Sequence, residues 1–416
     1  MPRGWFRLLA DPDFGRFMGG NLLFSVGMWV HAVAATMLAF ELTGSALVVG
    51  LVSAAQFVPP LVLAPLGGLA ADHGDRRAQL VAGRLVTMVG SGGLALWLVI
   101  VGAHGLQRTG AGPLVGAALV VGLGAVLGGP AMQALVPSLV RPGELPAAVS
   151  LSMLPIPLAR AIGPVLGSFV VTAAGPALAF AIAFACNLVF VVLLVTMRVD
   201  ARAPAPAPRA GREPGVWAYL RGDRTTIVLL FGVAAIGVGA DPSLTLAPAI
   251  SDDLGLGTTL VGPIATAFGT GAAAGLALVP VLRRILGATR YGHVGLAVMA
   301  VGSACVVPGR SAVAVCLAFA LSGVGMTIAL TGLSTAVQLR APDRLRGRVM
   351  ALWSVAFLGA RPFAAAVDGA VADALSPTVA LLVVCLVLLG ATWLGTTGAR
   401  SLRAAGDHQS QLDSSD

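Results

Sequence analysis

The chain has 416 residues, 57% hydrophobic and 11% charged, with mean hydropathy +0.91 and a formal net charge of +8. Soluble domains carry roughly 25% charged residues. This composition therefore excludes an ordinary soluble enzyme, a disordered protein and a secreted disulfide scaffold, and it points to an integral membrane protein.

A spanning helix needs ~20 apolar residues. With Gly, Pro and Arg clusters read as punctuation, the chain divides into twelve predicted spans. The first six are 16–41, 46–71, 78–102, 112–136, 145–173 and 177–197; the second six are 225–250, 258–282, 289–308, 311–338, 347–373 and 377–397. The first run is too long for a signal h-region and leads into another span. The predicted organisation is an N-terminal six-helix half over 1–197, a cytoplasmic linker over 198–224, a C-terminal six-helix half over 225–398 and a polar tail over 399–416. The linker contains the extended run Ala203-Pro204-Ala205-Pro206-Ala207-Pro208.

All 26 basic residues are arginine. Without lysine, neither a Walker-type ATPase nor a pyridoxal enzyme is available. With the N-terminus on the cytoplasmic side, 22 arginines fall in cytoplasmic segments, including Arg76, Arg77 and Arg84, and only Arg108 and Arg310 fall outside. That asymmetry predicts both termini to be cytoplasmic. The arginines follow the loops and form no basic domain, so nucleic acid is not an expected partner. Cys186, Cys305, Cys316 and Cys385 lie in apolar runs without CxxC spacing and read as small apolar residues, not as metal or redox ligands.

The halves echo each other. Leu139, Pro142, Leu145 and Val149 recur as Leu339, Pro342, Leu345 and Val349, and Gly163-Pro164 corresponds to Arg361-Pro362. A parallel repeat of this kind suggests a transporter with its site between the halves.

The loop after the second span reads Gly67-Gly68-Leu69-Ala70-Ala71-Asp72-His73-Gly74-Asp75-Arg76-Arg77. It resembles the cytoplasmic signature of the major facilitator superfamily, Gly-x-Leu-Ala-Asp-Arg-x-Gly-Arg-Arg. Gly68, Asp72, Arg76 and Arg77 are in register, while His73 and Asp75 depart from it. Glu41–Ala46, Pro130–Pro137 and Arg346–Leu352 resemble the branch containing the enterobactin exporter and related efflux proteins. The likeness runs from Phe6 to Trp393. It implies an all-α fold of twelve transmembrane helices in two pseudo-symmetric halves, and a gating role for the Asp72–Arg77 region. Read from charge alone, Arg76 and Arg77 would enforce topology. The fifth span carries Arg160-Ala161-Ile162-Gly163-Pro164-Val165-Leu166-Gly167-Ser168. It resembles the Gly-Pro signature of the superfamily's antiporters, with Ala159 and Ser168 in place of glycines. Without the resemblance it is a small-residue packing seam bent at Pro164.

Intramembrane charges are costly and mark candidate sites. Arg160 and Arg361 lie about fifteen residues into their helices. Asp241, followed by the helix-breaking Pro242, is the first candidate for proton coupling; its alternatives are an arginine's partner or a helix cap. Asp368, the second candidate for proton coupling, lies two turns beyond Arg361, ~10 Å along the axis, so direct pairing with it is not expected. Its alternative is exposure at the outer mouth. His31 is either a titrating group or a hydrogen-bonded helix contact. Gln133 follows Pro130 and is a candidate cavity residue. Asn21, Gln56 and Asn187 read as interhelical hydrogen-bonders, Glu41 as interfacial. The tryptophans are dispersed and predict no aromatic cage.

With these features, the resemblance and the partial antiporter motif imply a secondary transporter exporting a hydrophobic or amphiphilic small molecule, such as an antibiotic, siderophore or other secondary metabolite. Proton antiport would drive it, with no cofactor or metal, in the bacterial cytoplasmic membrane. Membrane lipid is the expected surrounding partner, and a monomer the expected working unit. The competing readings are an importer or lysolipid flippase on the same scaffold, or a non-transporting receptor. No metal cluster or nucleophile elbow favours an enzyme.

Overall fold

A computed structural model describes residues 8–141, 143–197, 216–288, 290–307, 311–342 and 345–413. Side chains at 64–65, 67–73, 103–108 and 398–413 are outside that description, as are most of the 198–224 linker and its Ala-Pro run. Among the described residues the chain is helical, without strands.

Among the described residues, eleven helices are long and apolar enough to cross a membrane, and Tyr291–Val306 is a shorter twelfth. They follow the predicted spans: Pro12–Thr43, Ala46–His73, Arg76–Thr109, Gly112–Leu135, Leu145–Ala174 in two pieces, Pro176–Thr196, a broken seventh beginning at Arg224, Val261–Leu286, Tyr291–Val306, Ala312–Arg340, Arg346–Ala374 and Pro377–Asp413. The outer wall is apolar. Val99, Ile100, Phe169, Leu317 and Leu386 are all more than 60% exposed, as lipid-facing side chains are expected to be.

Several boundaries have visible causes. Asp11 caps the first helix by accepting from the Asp13 and Phe14 amides, and Gly44 ends it in the left-handed conformation (φ 64°) that favours glycine. Asp75 caps the third through the Arg77 and Ala78 amides. That third helix bends where Gly102 adopts φ 60°, and its helical backbone continues to Thr109.

Two predicted continuous spans are broken. The fifth is Leu145–Ser152 followed by Pro155–Ala174; Pro155 has no N–H to continue the ladder and starts a new helix instead. The seventh is Arg224–Ala240, Pro242–Thr245 and Ala247–Asp253. Pro242 has no N–H for the Val238 carbonyl, which takes a 3.4 Å bond from Asp241 N. The linker region also holds a short helix, Val216–Gly222.

The first six spans pack around one another chiefly through the pairs 1–6, 1–5, 2–4, 3–4 and 3–6; the second six do so through 7–11, 7–12, 8–10, 9–10 and 9–12. Two extensive seams join the sets, span 2 against span 11 and span 5 against span 8. Both need small residues. A Cβ on Gly262 would lie 2.8 Å from the Pro164 carbonyl oxygen, and one on Gly359 2.9 Å from a Leu61 methyl. Gly163 and Gly167 bring span 5 against span 1, where added Cβ atoms would lie 2.5 Å from Trp29 Cβ and 3.0 Å from Val30 Cα.

The ends of the bundle differ. At the end holding Thr43 and Asp373, polar bonds tie one set to the other. Asp373 accepts from the Ser45 hydroxyl, from Ala46 N at 2.7 Å and from Leu47 N at 3.2 Å; Thr258 Oγ1 donates to Glu41 Oε1 at 2.8 Å. At the opposite end, Arg76 donates to the Ala134 carbonyl at 3.1 Å and Arg77 to that of Val195. Arg340 binds Asp223 at 2.7 Å. These contacts stay within one set.

Candidate functional site

Between the two ends, the charged residues of the seam converge. At 1.5 Å per residue, Arg160, Asp241 and Arg361 each lie about 22–26 Å along their spans from the Arg340 end. Arg361 Nε donates to Asp241 Oδ1 at 3.2 Å, and Asp241 Oδ2 accepts from Thr245 Oγ1 at 3.3 Å. Asp241 is 2% exposed and the Arg361 side chain 18%. The break at Pro242 places Thr245 one turn beyond Asp241, where it can bond the carboxylate.

The pair sits where spans 2, 7 and 11 meet. Phe57 of span 2 lies 4.2 Å beneath the Arg361 guanidinium. Gly237 of span 7 lets the two helices close: its added Cβ would come within 2.5 Å of the Phe357 carbonyl oxygen and 3.5 Å of Arg361 Cγ. Arg160 projects from the other seam. Its guanidinium lies 4.6 Å from the Phe268 ring centroid and 5.2 Å from that of Trp29, and its Nη1 is 3.7 Å from Met326 Sδ. It interacts electrostatically with both Arg361 and Asp241. Asp368 is 2% exposed, its Oδ2 has no hydrogen-bond partner, and it feels the Asp241 charge. Two arginines and two aspartates thus share a mainly apolar environment, with one close ion pair among them.

The predicted site residues separate accordingly. Asp241, Arg361, Arg160 and Asp368 come together. Asp241 takes the role of an arginine's partner, and Asp368 is buried and not exposed at a mouth. His31 does not join them: it is buried in the first set, 3.1 Å from Ser91 Oγ, edge-on to Phe180. Gln133 is exposed near the end of span 4. Gly163, Pro164 and Gly167 are buried at the junction of spans 1, 5 and 8. Of the signature in the loop after span 2, Arg76 and Arg77 clamp the carbonyl ends of spans 4 and 6, where cations complement the helix dipole. The side chains of Gly68 and Asp72 lie outside the described residues. Among the described residues no cluster of His, Cys, Asp and Glu could hold a metal.

Two features went unread in the sequence. Aromatic rings do gather around the arginines; Trp29, Phe57 and Phe268 come from three different spans, so no local motif announced them. Arg84 is not a loop residue of the topology count but a buried side chain, 2% exposed. Its place eight residues inside span 3, about 12 Å along the helix, was the available signal.

The sequence model of the transmembrane secretion effector family of major facilitator proteins matches residues 9–412. No curated protein matches the chain. Among solved structures, it resembles a bacterial homologue of the human lysosomal transporter Spinster in an inward-facing, occupied conformation (14% identity, TM-score 0.75, 93% of this chain and 96% of that one). It also resembles a point mutant of the nucleoside transporter NupG (12% identity, TM-score 0.74, 93% and 99%). A third match is a bacterial homologue of the iron transporter ferroportin in an inward-facing state (16% identity, TM-score 0.71, 94% and 100%). At these identities the likeness is one of fold.

Proposed function

The chain belongs to the transmembrane secretion effector family and is a multi-pass secondary transporter of the major facilitator fold; on that premise we propose that it exports a hydrophobic or amphiphilic small molecule in exchange for protons. The two six-span sets are the moving bodies, and the working unit is a monomer in the bacterial cytoplasmic membrane with both termini inside. On this reading the chain is of the same kind as the enterobactin exporter and related efflux proteins that its sequence resembles.

The observation that carries the proposal is the buried Asp241–Arg361 pair at the seam of the two sets. A buried carboxylate holds a negative charge only while its counter-charge stays in place. Protonation of Asp241 removes the attraction to Arg361 and frees its guanidinium, which lies against Phe57 of span 2, to change its packing across the seam between the sets. Loss of the proton restores the pair. The proton and the rearrangement are thereby linked, as antiport requires. Arg160, which makes no close ion pair among the described residues, offers donors to a polar group on the cargo, and Trp29, Phe57 and Phe268 offer apolar faces.

Inverted vesicles test this. Proton-gradient-driven uptake of an amphiphilic cargo should be abolished in Asp241→Asn, while cargo exchange without a gradient persists and shows the variant folded. Unchanged coupling in Asp241→Asn removes that residue from the mechanism. No gradient-dependent uptake over a broad compound panel removes the export reading, and accumulation by intact cells replaces it with import.

A further inference from the structure

We propose that the cavity around Arg84, inside the first set of six spans and apart from the central seam, binds a small monovalent anion such as chloride. The cavity offers about 50 Å³ and is lined by Phe24, His31, Gln56, Arg84, Ser91 and Asn187, among others. That is room for a small ion with a water or two, and too little for a cargo molecule.

The argument starts from charge. Arginine keeps its proton inside proteins, and an unpaired buried charge is among the most expensive features a helix bundle can carry. Arg84 is 2% exposed, and no carboxylate among the described residues pairs with it. Arg361, by contrast, has Asp241. The nearest compensation for Arg84 is the ring of Phe24, 3.6 Å from the guanidinium carbon. A ring attracts a cation through its face and leaves the in-plane N–H donors unused. Both Nε and Nη1 of Arg84 are buried without a hydrogen-bond partner.

The walls fit an anion. Ser91 and His31 bond each other at 3.1 Å, and Gln56 adds an amide. Asn187 Nδ2 is taken by the Ala183 carbonyl at 2.9 Å, leaving its Oδ1 without a partner, a place for a water beside the ion. Space for the guanidinium is made by Gly128, where a Cβ would sit 2.6 Å from Nη2. Water alone satisfies donors but leaves the charge; an anion does both.

Chloride, bromide and gluconate distinguish the cases. The purified full chain in lipid nanodiscs should unfold about 2–5 °C higher in sodium chloride or bromide than in sodium gluconate at equal ionic strength, saturating with anion. Gluconate is too large for the cavity. Arg84→Gln should lose the difference. Equilibrium dialysis of the unaltered chain with radiolabelled chloride gives a reading independent of any variant: one saturable chloride per chain supports the site. No saturable chloride, or a salt effect that persists in Arg84→Gln, overturns it and leaves a cavity holding water.

Discussion

The two ends of the bundle use polar groups for opposite purposes. At the Asp373 end, carboxylates of one set bind hydroxyls and amides of the other. At the Arg340 end, Arg76, Arg77 and the Arg340–Asp223 pair brace helix ends within their own set. Among the described side chains, polar bonds join the two sets at the first end and stay within a set at the second. The central Asp241–Arg361 pair lies between the two ends, at the pivot of the proposed movement.

The sharpest way to break this arrangement is at the pivot. Arg361→Gln strands a buried carboxylate, which costs about 3–5 kcal/mol; the loss should appear in the unfolding midpoint, and adding Asp241→Asn should recover much of it. Recovery by the second change distinguishes a lost charge balance from a lost packing contact.

A smaller effect is expected at the tied end. Asp373→Ala removes the acceptor for two backbone amides and a hydroxyl, an effect of about 0.5–2 kcal/mol by analogy with lost helix caps. Hydrogen exchange should quicken at Ala46 and Leu47 and stay unchanged around Arg340. Equal quickening at both ends would mean that the ends are not distinct.

The smallest concerns the braced end. Burial pushes the Asp223 carboxyl up, but hydrogen bonds from Arg340, Thr226 and Tyr219 outweigh it and hold it down at about 2, below its ordinary 3.8. A lowered folded-state value means that the contribution is present above the ordinary value and is lost as pH falls through the folded one. The stability gap between the native chain and Asp223→Asn should therefore be constant above pH 4 and shrink between about 4 and 2. Its size is modest, because the Arg340 side chain is 42% exposed and solvent screens the pair.

Much of the fold was legible because each span buries or exposes apolar side chains along its whole length, and composition alone marks such segments. Breaks were less so: Pro155 and Pro242 are visible as residues, but whether a proline bends a helix or ends it depends on what surrounds it. The site was half legible. Asp241 and Arg361 stand out as charges in apolar runs, yet they are 120 positions apart, and only the packing of span 7 on span 11 brings them together. Arg84 was misread because it follows Arg76 and Arg77 closely in sequence, where a count of positive charges does not separate a side chain at the surface from one turned inward.

The Asp373 contact carries one more consequence. Ala46 and Leu47 belong to the first turn of span 2, whose amides have no partner within their own helix. While the sets touch, a residue from span 11 supplies it. When they part, that turn must find water or fray, with only Ser45 left in place, its hydroxyl already accepting from Val48 N at 3.2 Å. Opening would then hydrate and loosen the start of a helix as well as separate two surfaces, and each transport cycle would melt and refreeze the same few residues.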